Sequence, residues 1–165
     1  MKKITRLSKL VVKTILFILI GCFINFSPTK VLAEIGETDI NNQMINASSE
    51  FLRDLDYETW QLVAYKSPFN EEKLVLRIIG YPGSLRIDHP LALQVDSGRK
   101  QWFLNDITQI NEDLLNDPRQ AAAEFDLNQL IVDINQNRPL RLSLDEVFSE
   151  LPVPPFLVKE WRSIG

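Results

Sequence analysis

Acidic residues are absent from the first 33 residues of this chain, whereas the remaining 132 carry all 22 of them. In this acid-free segment, basic residues precede an apolar run from Thr14 to Phe26, and Val31-Leu32-Ala33 offers compact side chains to signal peptidase. The run is too short for a membrane-spanning helix, which needs roughly 20 apolar residues. We therefore expect a signal peptide over residues 1–33, cleaved between Ala33 and Glu34. Its leading basic residues are Lys2, Lys3, Arg6, Lys9 and Lys13.

Cysteine occurs once, as Cys22, and cleavage after Ala33 would remove it. The remaining chain would then form no disulfide and no thiolate metal site, so its fold would depend on its hydrophobic core. Leu19-Ile20-Gly21-Cys22 also fits a lipobox, in which Cys22 is lipidated and anchors the protein to a membrane. The apolar run continues after Cys22, which argues against lipidation, but the sequence leaves both alternatives open.

Histidine also occurs once, as His89, which excludes a cluster of histidine metal ligands. Ser84 lacks the Gly-x-Ser-x-Gly context of a nucleophile elbow, and Gly80–Gly83 lacks the ending of a phosphate-binding loop. Acids and amides are frequent from Asp106 to Asp117, but not in the alternating order of a calcium loop. We therefore expect no catalytic residue, no metal site and no cofactor.

Residues 34–165 carry 12 basic and 22 acidic side chains, which give a net charge of −10. Such a charge disfavours nucleic acids and anionic membrane surfaces as partners. We expect a protein partner instead, with a membrane involved only through a lipid anchor at Cys22. Composition does not determine the oligomeric state.

The hydrophobic pattern predicts an α+β fold, in which a mostly antiparallel β-sheet or sandwich carries a few short helices. We expect a flexible lead-in or short helix over residues 34–54 and a single globular domain over 55–165. The core anchors are expected to be Trp60, Trp102 and Trp161. Strands are expected at 57–66, 73–79, 85–87, 90–95, 101–104, 140–144 and 147–151, with most of them joined as antiparallel hairpins.

Helices are expected in three places. Asp117-Pro118 resembles a helix start, and the alanines at 121–123 have high helix propensity. A second short helix is predicted where Leu127, Leu130, Ile131 and Ile134 recur at helical spacing. A stiff segment, Pro152–Pro155, leads into a final helical turn over Phe156–Trp161.

Three sequence blocks follow the expected signal peptide and an early strand with Trp60, and these are Leu76–Gly83, Pro139–Leu142 and Val153–Trp161. Together they resemble an exported cyanobacterial family named domain of unknown function 3122. The resemblance covers about residues 55–162, and the chain departs from it between Leu144 and Leu151, where we expect a longer hairpin in relatives.

The resemblance implies an exported protein of the periplasm or thylakoid lumen. It supplies no activity for the chain, catalytic or otherwise. It also implies structural or interaction roles for particular residues in these blocks. These candidates are Gly80, Pro82, Gly83, Pro154, Pro155, Glu160 and Trp161.

The leading hypothesis is a non-enzymatic accessory or interaction protein that assists a membrane complex, with a photosynthetic complex suggested by the implied compartment. A partly exposed aromatic side chain near Pro152–Pro155 would indicate a protein-binding groove. One alternative is a carrier of a small apolar ligand, such as a pigment or lipid, held in a cavity. Another is a carboxylate-based enzyme, which needs two acids buried together in a cleft.

Overall fold

Two antiparallel sheets make up most of the computed structural model, which describes residues 35–40, 43–68, 70–80, 87–110 and 121–165. The first sheet has the strand order β1-β2-β3-β4-β7 and the second has the order β6-β5-β8-β9. The predicted α+β class with mostly antiparallel strands is confirmed. The strands of the first sheet are β1 (Ile35–Ile40), β2 (Gln43–Arg53), β3 (Thr59–Ser67), β4 (Asn70–Ile79) and β7 (Ala122–Asp126). Those of the second are β5 (Leu93–Asp96), β6 (Gln101–Leu104), β8 (Leu140–Leu144) and β9 (Phe148–Val153).

Helix α1 (Asn128–Asp133) follows β7, helix α2 (Pro155–Ile164) closes the chain, and a short 3₁₀ turn spans Thr108–Ile110. Helix α1 lies where helical spacing predicted it, and α2 includes the final helical turn predicted over Phe156–Trp161. Pro155 starts α2 favourably, since the first helical position needs no backbone donor. No helix in the described ranges is long and apolar enough to cross a membrane.

The core-facing side chains of both sheets form one hydrophobic cluster, as in a β-sandwich. Alternation along the strands directs Leu62, Ala64, Leu142 and Leu144 to this cluster, while their neighbours point outward. The space between the sheets is therefore occupied by protein side chains. The largest fully buried members are Trp60, Trp161, Phe125, Leu62, Leu76 and Ile78.

The three tryptophans are buried as expected, but their indole N–H groups differ in partners. Trp60 donates to Asp54 Oδ2 at 2.8 Å, and Trp102 donates to Asp133 Oδ2 at 2.9 Å. The Trp161 N–H has no hydrogen-bond partner among the residues that the structure describes. Trp60 and Trp102 therefore each tie the core to a neighbouring turn or helix, whereas Trp161 contributes through packing.

The flexible lead-in or short helix predicted over residues 34–54 is wrong for the described part of that range, because residues 35–40 and 43–53 supply strands β1 and β2. The polar sequence of β2 concealed a strand that is covered on both faces at its centre, around Ala47 and Ser48. Ser48 is fully buried and donates to Glu160 of α2 at 2.6 Å, while Ala47 packs against Val63 on the opposite face. A strand covered on both faces loses the alternation by which strands are recognised.

The predicted helix over the alanines at 121–123 is also wrong, because Ala122 and Ala123 begin β7. They pair with Ile79 and Ile78 of β4, and Ala123 is fully buried. Helix propensity amounts to less than about 1 kcal/mol per residue, so pairing with an already buried strand overrides it. The expected helix start at 117–118 lies outside the described residues.

The strand predicted from Pro90 is shorter than expected, because β5 begins only at Leu93. Proline has no N–H, and the next N–H, that of Leu91, donates to the Asp106 carboxylate at 3.0 Å rather than to a neighbouring strand. The predicted strand at 147–151 lies at 148–153, after a tight turn in which Glu146 has a positive φ of 60°.

Candidate functional site

A groove of about 500 Å³ lies where the end of β2 meets β8, β9 and the segment before α2. We call it the proline groove. Its most exposed large side chain is Phe51, with 64 % of its surface accessible. The lining comprises Phe51, Leu52, Arg53, Asp96, Ser97, Gly98, Pro139, Leu140, Arg141, Pro152, Val153 and Pro154.

Backbone pairing fixes the prolines of this groove in place. Leu140 pairs with Val153 and Arg141 with Pro152 across the β8–β9 hairpin. Pro152 occurs in β9, an edge strand, where a missing N–H is tolerated. Pro154 is extended, with φ −73° and ψ 154°, and forms the N-cap of α2. The groove wall is therefore rigid before any ligand binds.

The charged groups of the proline groove differ in how well they are paired. Hydrogen bonds from Gln101 and from the Gly98 N–H hold the pKa of Asp96 below its usual range. Arg141 makes a loose ion pair with Glu150 at 3.6 Å. The Arg53 side chain makes no ion pair or hydrogen bond with any residue in the described ranges. Arg53 is thus the guanidinium most open to a ligand.

A second groove, of about 680 Å³, lies between the β2–β3 turn, the β8–β9 turn and the outer face of the second sheet. We call it the acidic groove, because its three charged residues are Asp56, Asp145 and Glu146. Its lining comprises Asp56, Pro90, Leu91, Ala92, Gln94, Phe103, Ser143, Leu144, Asp145, Glu146, Val147, Phe148 and Ser149.

A buried polar network lies on the first sheet, on the face that points away from the main hydrophobic core. Glu124 on β7 accepts hydrogen bonds from the Tyr65 hydroxyl and from Arg77 Nε at 2.7 Å, and it forms an ion pair with Arg77 Nη2 at 2.6 Å. The Glu124 and Arg77 side chains are only 5 % and 12 % exposed. Burial, and then the charge of Glu124, raise the pKa of Tyr65 far above its usual range. The phenol therefore stays neutral and serves as a donor.

Thr108 links this cluster to His89. Its hydroxyl accepts from the Glu124 N–H at 2.9 Å and donates to Asp106 Oδ1 at 2.5 Å, and Asp106 Oδ2 lies 2.7 Å from His89 Nδ1. His89 thus has an orienting carboxylate that lies 17 residues away along the chain. The buried acids Asp54, Asp106 and Glu124 all accept hydrogen bonds from protein donors, and none of them lines either groove. This arrangement fixes the 3₁₀ turn to the sheet rather than presenting a reactive group.

The acid stability of the protein should depend on Asp106. Burial would raise its pKa, but hydrogen bonds from Thr108, His89 and Leu91 outweigh burial and lower it. Because the folded-state pKa is below the unfolded value of about 3.9, the ionised carboxylate stabilises the fold fully above that pH. This stabilisation is lost as the pH falls through the folded-state pKa. Asp106→Asn should therefore cost more stability at neutral pH than in acid.

Urea unfolding of wild type and Asp106→Asn at a series of acidic pH values measures this dependence. The difference in unfolding free energy between the two proteins should shrink as the pH falls below the pKa that this carboxyl has in the unfolded chain. Asp145→Asn is the control, because its exposed carboxylate has no partner in the described ranges and the corresponding difference should stay flat. An Asp106→Asn difference that is equally flat would contradict the prediction.

The residues predicted as candidates are dispersed over the fold. Gly80 is buried against Trp60, and Pro154 lines the proline groove. Glu160 binds Ser48, while Trp161 packs in the core beside it. Pro155 begins α2. The candidates Cys22, Ala33, Glu34, Pro82 and Gly83 lie outside the described residues, as do Ser84 and the acidic segment beyond residue 110.

Sequence reasoning missed Phe51, Arg53 and Phe103. Phe51 lies in the segment predicted as a lead-in or short helix, and Phe103 lies in the strand predicted at 101–104. An aromatic residue at an outward position of a strand was the signal available for both. Within the described part of the chain, no group of three histidine, cysteine or acidic residues is arranged to hold a metal ion.

The family described as "Protein of unknown function (DUF3122)" matches residues 33–164, which includes both sheets and both grooves. No curated protein and no solved structure matches the chain.

Proposed function

The chain belongs to the DUF3122 family of proteins of unknown function, and we propose that it is an exported, non-enzymatic interaction protein that binds a protein partner in the proline groove. The observation that carries this proposal is the exposure of Phe51 in that groove. An aromatic side chain of this size is normally buried, and one exposed in a concave apolar site is typical of binding surfaces. A partly exposed aromatic beside Pro152–Pro154 was also the feature that sequence reasoning required of an interaction groove.

The chemistry of the groove favours an extended protein segment as the ligand. Three prolines and Phe51 present a rigid apolar surface. The groove itself therefore loses little conformational entropy when a segment binds to it. Arg53 would then pair with a carboxylate of the partner, since no group in the described ranges occupies it. We therefore expect a partner segment with an apolar side chain next to an acidic one.

Two observations on the described residues disfavour the alternatives, which are a carrier of a small apolar ligand and a carboxylate-based enzyme. The side chains of both sheets occupy the space in which a carrier would hold an apolar ligand. The buried acids Asp106 and Glu124 serve structural hydrogen bonds. Export rests on the acid-free segment at 1–33, and the periplasm or thylakoid lumen of a cyanobacterium rests on the family resemblance. A membrane complex in that compartment, including a photosynthetic one, is the partner class that we propose.

A photo-reactive phenylalanine analogue at position 51 tests this function in the native cells. We expect irradiation to produce one discrete adduct with a partner protein. The matched control carries the same analogue at Val132, which is 85 % exposed and lies outside both grooves. An adduct at position 51 that Arg53→Gln weakens, and that position 132 does not give, supports the proposal. No adduct, or the same adducts from both positions, would overturn it.

A further inference from the structure

The acidic groove lies on the outer face of the second sheet, and the proposed partner in the proline groove leaves it unused. Its floor includes Phe103 of β6, which is 61 % exposed although it lies among apolar side chains. Apolar residues supply about half of the lining, including Pro90, Leu91 and Val147. A concave surface with an exposed aromatic side chain of this kind suits an apolar side chain of a ligand.

Two rigid turns form the ends of this groove. Asp54 holds the β2–β3 turn, because its Oδ1 accepts the N–H groups of Asp56 and Glu58, both at 2.9 Å. The β8–β9 turn is closed by the Val147 N–H, which donates to the Leu144 carbonyl at 3.0 Å. The backbone that carries the acidic residues of these turns is therefore held in place at each end of the groove.

The side wall of the groove is fixed in the same way. The Leu91 N–H donates to Asp106 Oδ2 at 3.0 Å, which attaches the Pro90–Ala92 segment to the buried polar network. Because the wall and both ends are supported from inside the fold, a ligand would meet a preformed shape. Preformed sites lose less free energy in ordering when they bind.

The charge of the acidic groove determines the occupant that fits it. Asp56, Asp145 and Glu146 line it, and the lining contains no lysine, arginine or histidine. Within the described part of the chain, these three carboxylates make no hydrogen bond or ion pair. A net charge of −10 over residues 34–165 adds long-range attraction for a cation.

We propose that the acidic groove is a second docking site, which binds a protein segment carrying a lysine or arginine beside an apolar side chain. The cationic group lies between the carboxylates of the two turns, and the apolar side chain packs on Phe103. This ligand is opposite in charge to the segment proposed for the proline groove. The protein would then connect two different segments, or two proteins, through separate faces.

Binding of a short fluorescent peptide of alternating lysine and leucine to the full chain tests the proposal directly. We expect saturable binding that weakens as salt is raised, since exposed charges are screened. Asp145→Asn/Glu146→Gln should weaken it about tenfold. The control Glu58→Gln/Glu150→Gln removes the same charge outside the groove lining and should leave affinity unchanged. A carbodiimide, which joins a lysine amine to a neighbouring carboxylate, should link the peptide to Asp56, Asp145 or Glu146.

Equal loss in both double variants would overturn the proposal, because the peptide would then respond to overall charge alone. Equal binding of a peptide in which glutamate replaces lysine would overturn the charge assignment. If spermine displaced the fluorescent peptide as strongly as the unlabelled peptide does, the groove would bind any polycation. That result would overturn the proposal that a protein segment is the occupant. These outcomes are independent of the photo-crosslink from position 51, so failure of one groove's function is distinguishable from failure of the other's.

Discussion

Replacing Glu124 with leucine is expected to lower the free energy of unfolding by about 4 kcal/mol, because it removes one partner of a buried ion pair. Leucine has a similar volume but accepts no hydrogen bond. The Arg77 guanidinium and the Tyr65 hydroxyl would both lose the carboxylate between them, in a region where the side chains are nearly inaccessible to water. Urea or thermal unfolding of purified protein measures the change.

A double variant separates loss of the ion pair from loss of packing. Arg77→Met with Glu124→Leu replaces both charges with apolar side chains, an exchange that is often neutral in buried pairs. The double variant should therefore be more stable than Glu124→Leu alone. If it is less stable, the carboxylate is not what satisfies Arg77, and the role assigned to Glu124 is wrong.

Replacing Gly80 with alanine is expected to cost about 3 kcal/mol, near the upper end for overpacking a core. A Cβ at this position would lie 2.7 Å from the Trp60 ring carbon Cζ3. The ring has little freedom to move, because its N–H is bonded to Asp54 and its face packs on Phe148 with ring centroids 5.0 Å apart. For a domain of this size we expect the melting temperature to fall by roughly 10 °C.

The clash predicts a specific suppressor. Trp60→Phe removes the ring atoms that approach Gly80 most closely, at the cost of the hydrogen bond to Asp54. In a double-mutant cycle, Gly80→Ala should therefore destabilise the Trp60→Phe background much less than the wild type. Gly98→Ala is a useful comparison, because its cost would come from a φ of +76° with no atom within 4 Å of the added Cβ. Additive effects of Gly80→Ala and Trp60→Phe would contradict the assigned contact.

The glycine at position 80 illustrates what a sequence block can and cannot convey. Its place between a strand and a Pro-Gly pair indicated a turn, which glycine commonly occupies. The residues that would complete this turn lie outside the described ranges, and the structure adds a second constraint: Gly80 lies against an aromatic ring from the neighbouring strand, where space is limited. Gly80 is not at a positive φ, so its need for a small side chain arises only from packing. Contacts between strands distant in sequence carry no local signal.

The binding surfaces show the same division. Residues Pro152–Pro155 were identified from sequence because prolines restrict the backbone locally. Phe51 and Arg53 complete that groove from a strand about a hundred residues earlier, and only the meeting of β2 with β9 brings them together. The sequence contains many acidic residues and does not distinguish the three that line the acidic groove. The two turns of the folded chain bring these three together around Phe103.

The sequence by itself determined the features that depend on local pattern. Alternation along strands predicted a mostly antiparallel fold, helical spacing located α1, and the stiff proline segment that precedes α2 located that helix, while export stays a prediction from the acid-free segment at 1–33. Tertiary structure decided whatever depends on a residue's distant neighbours. It made a strand of Ala122–Asp126 despite its alanines, covered the centre of β2 on both faces, and assembled the Tyr65–Arg77–Glu124 cluster from three strands. The reason is that local propensities amount to less than about 1 kcal/mol per residue, whereas burial and pairing across the fold contribute several.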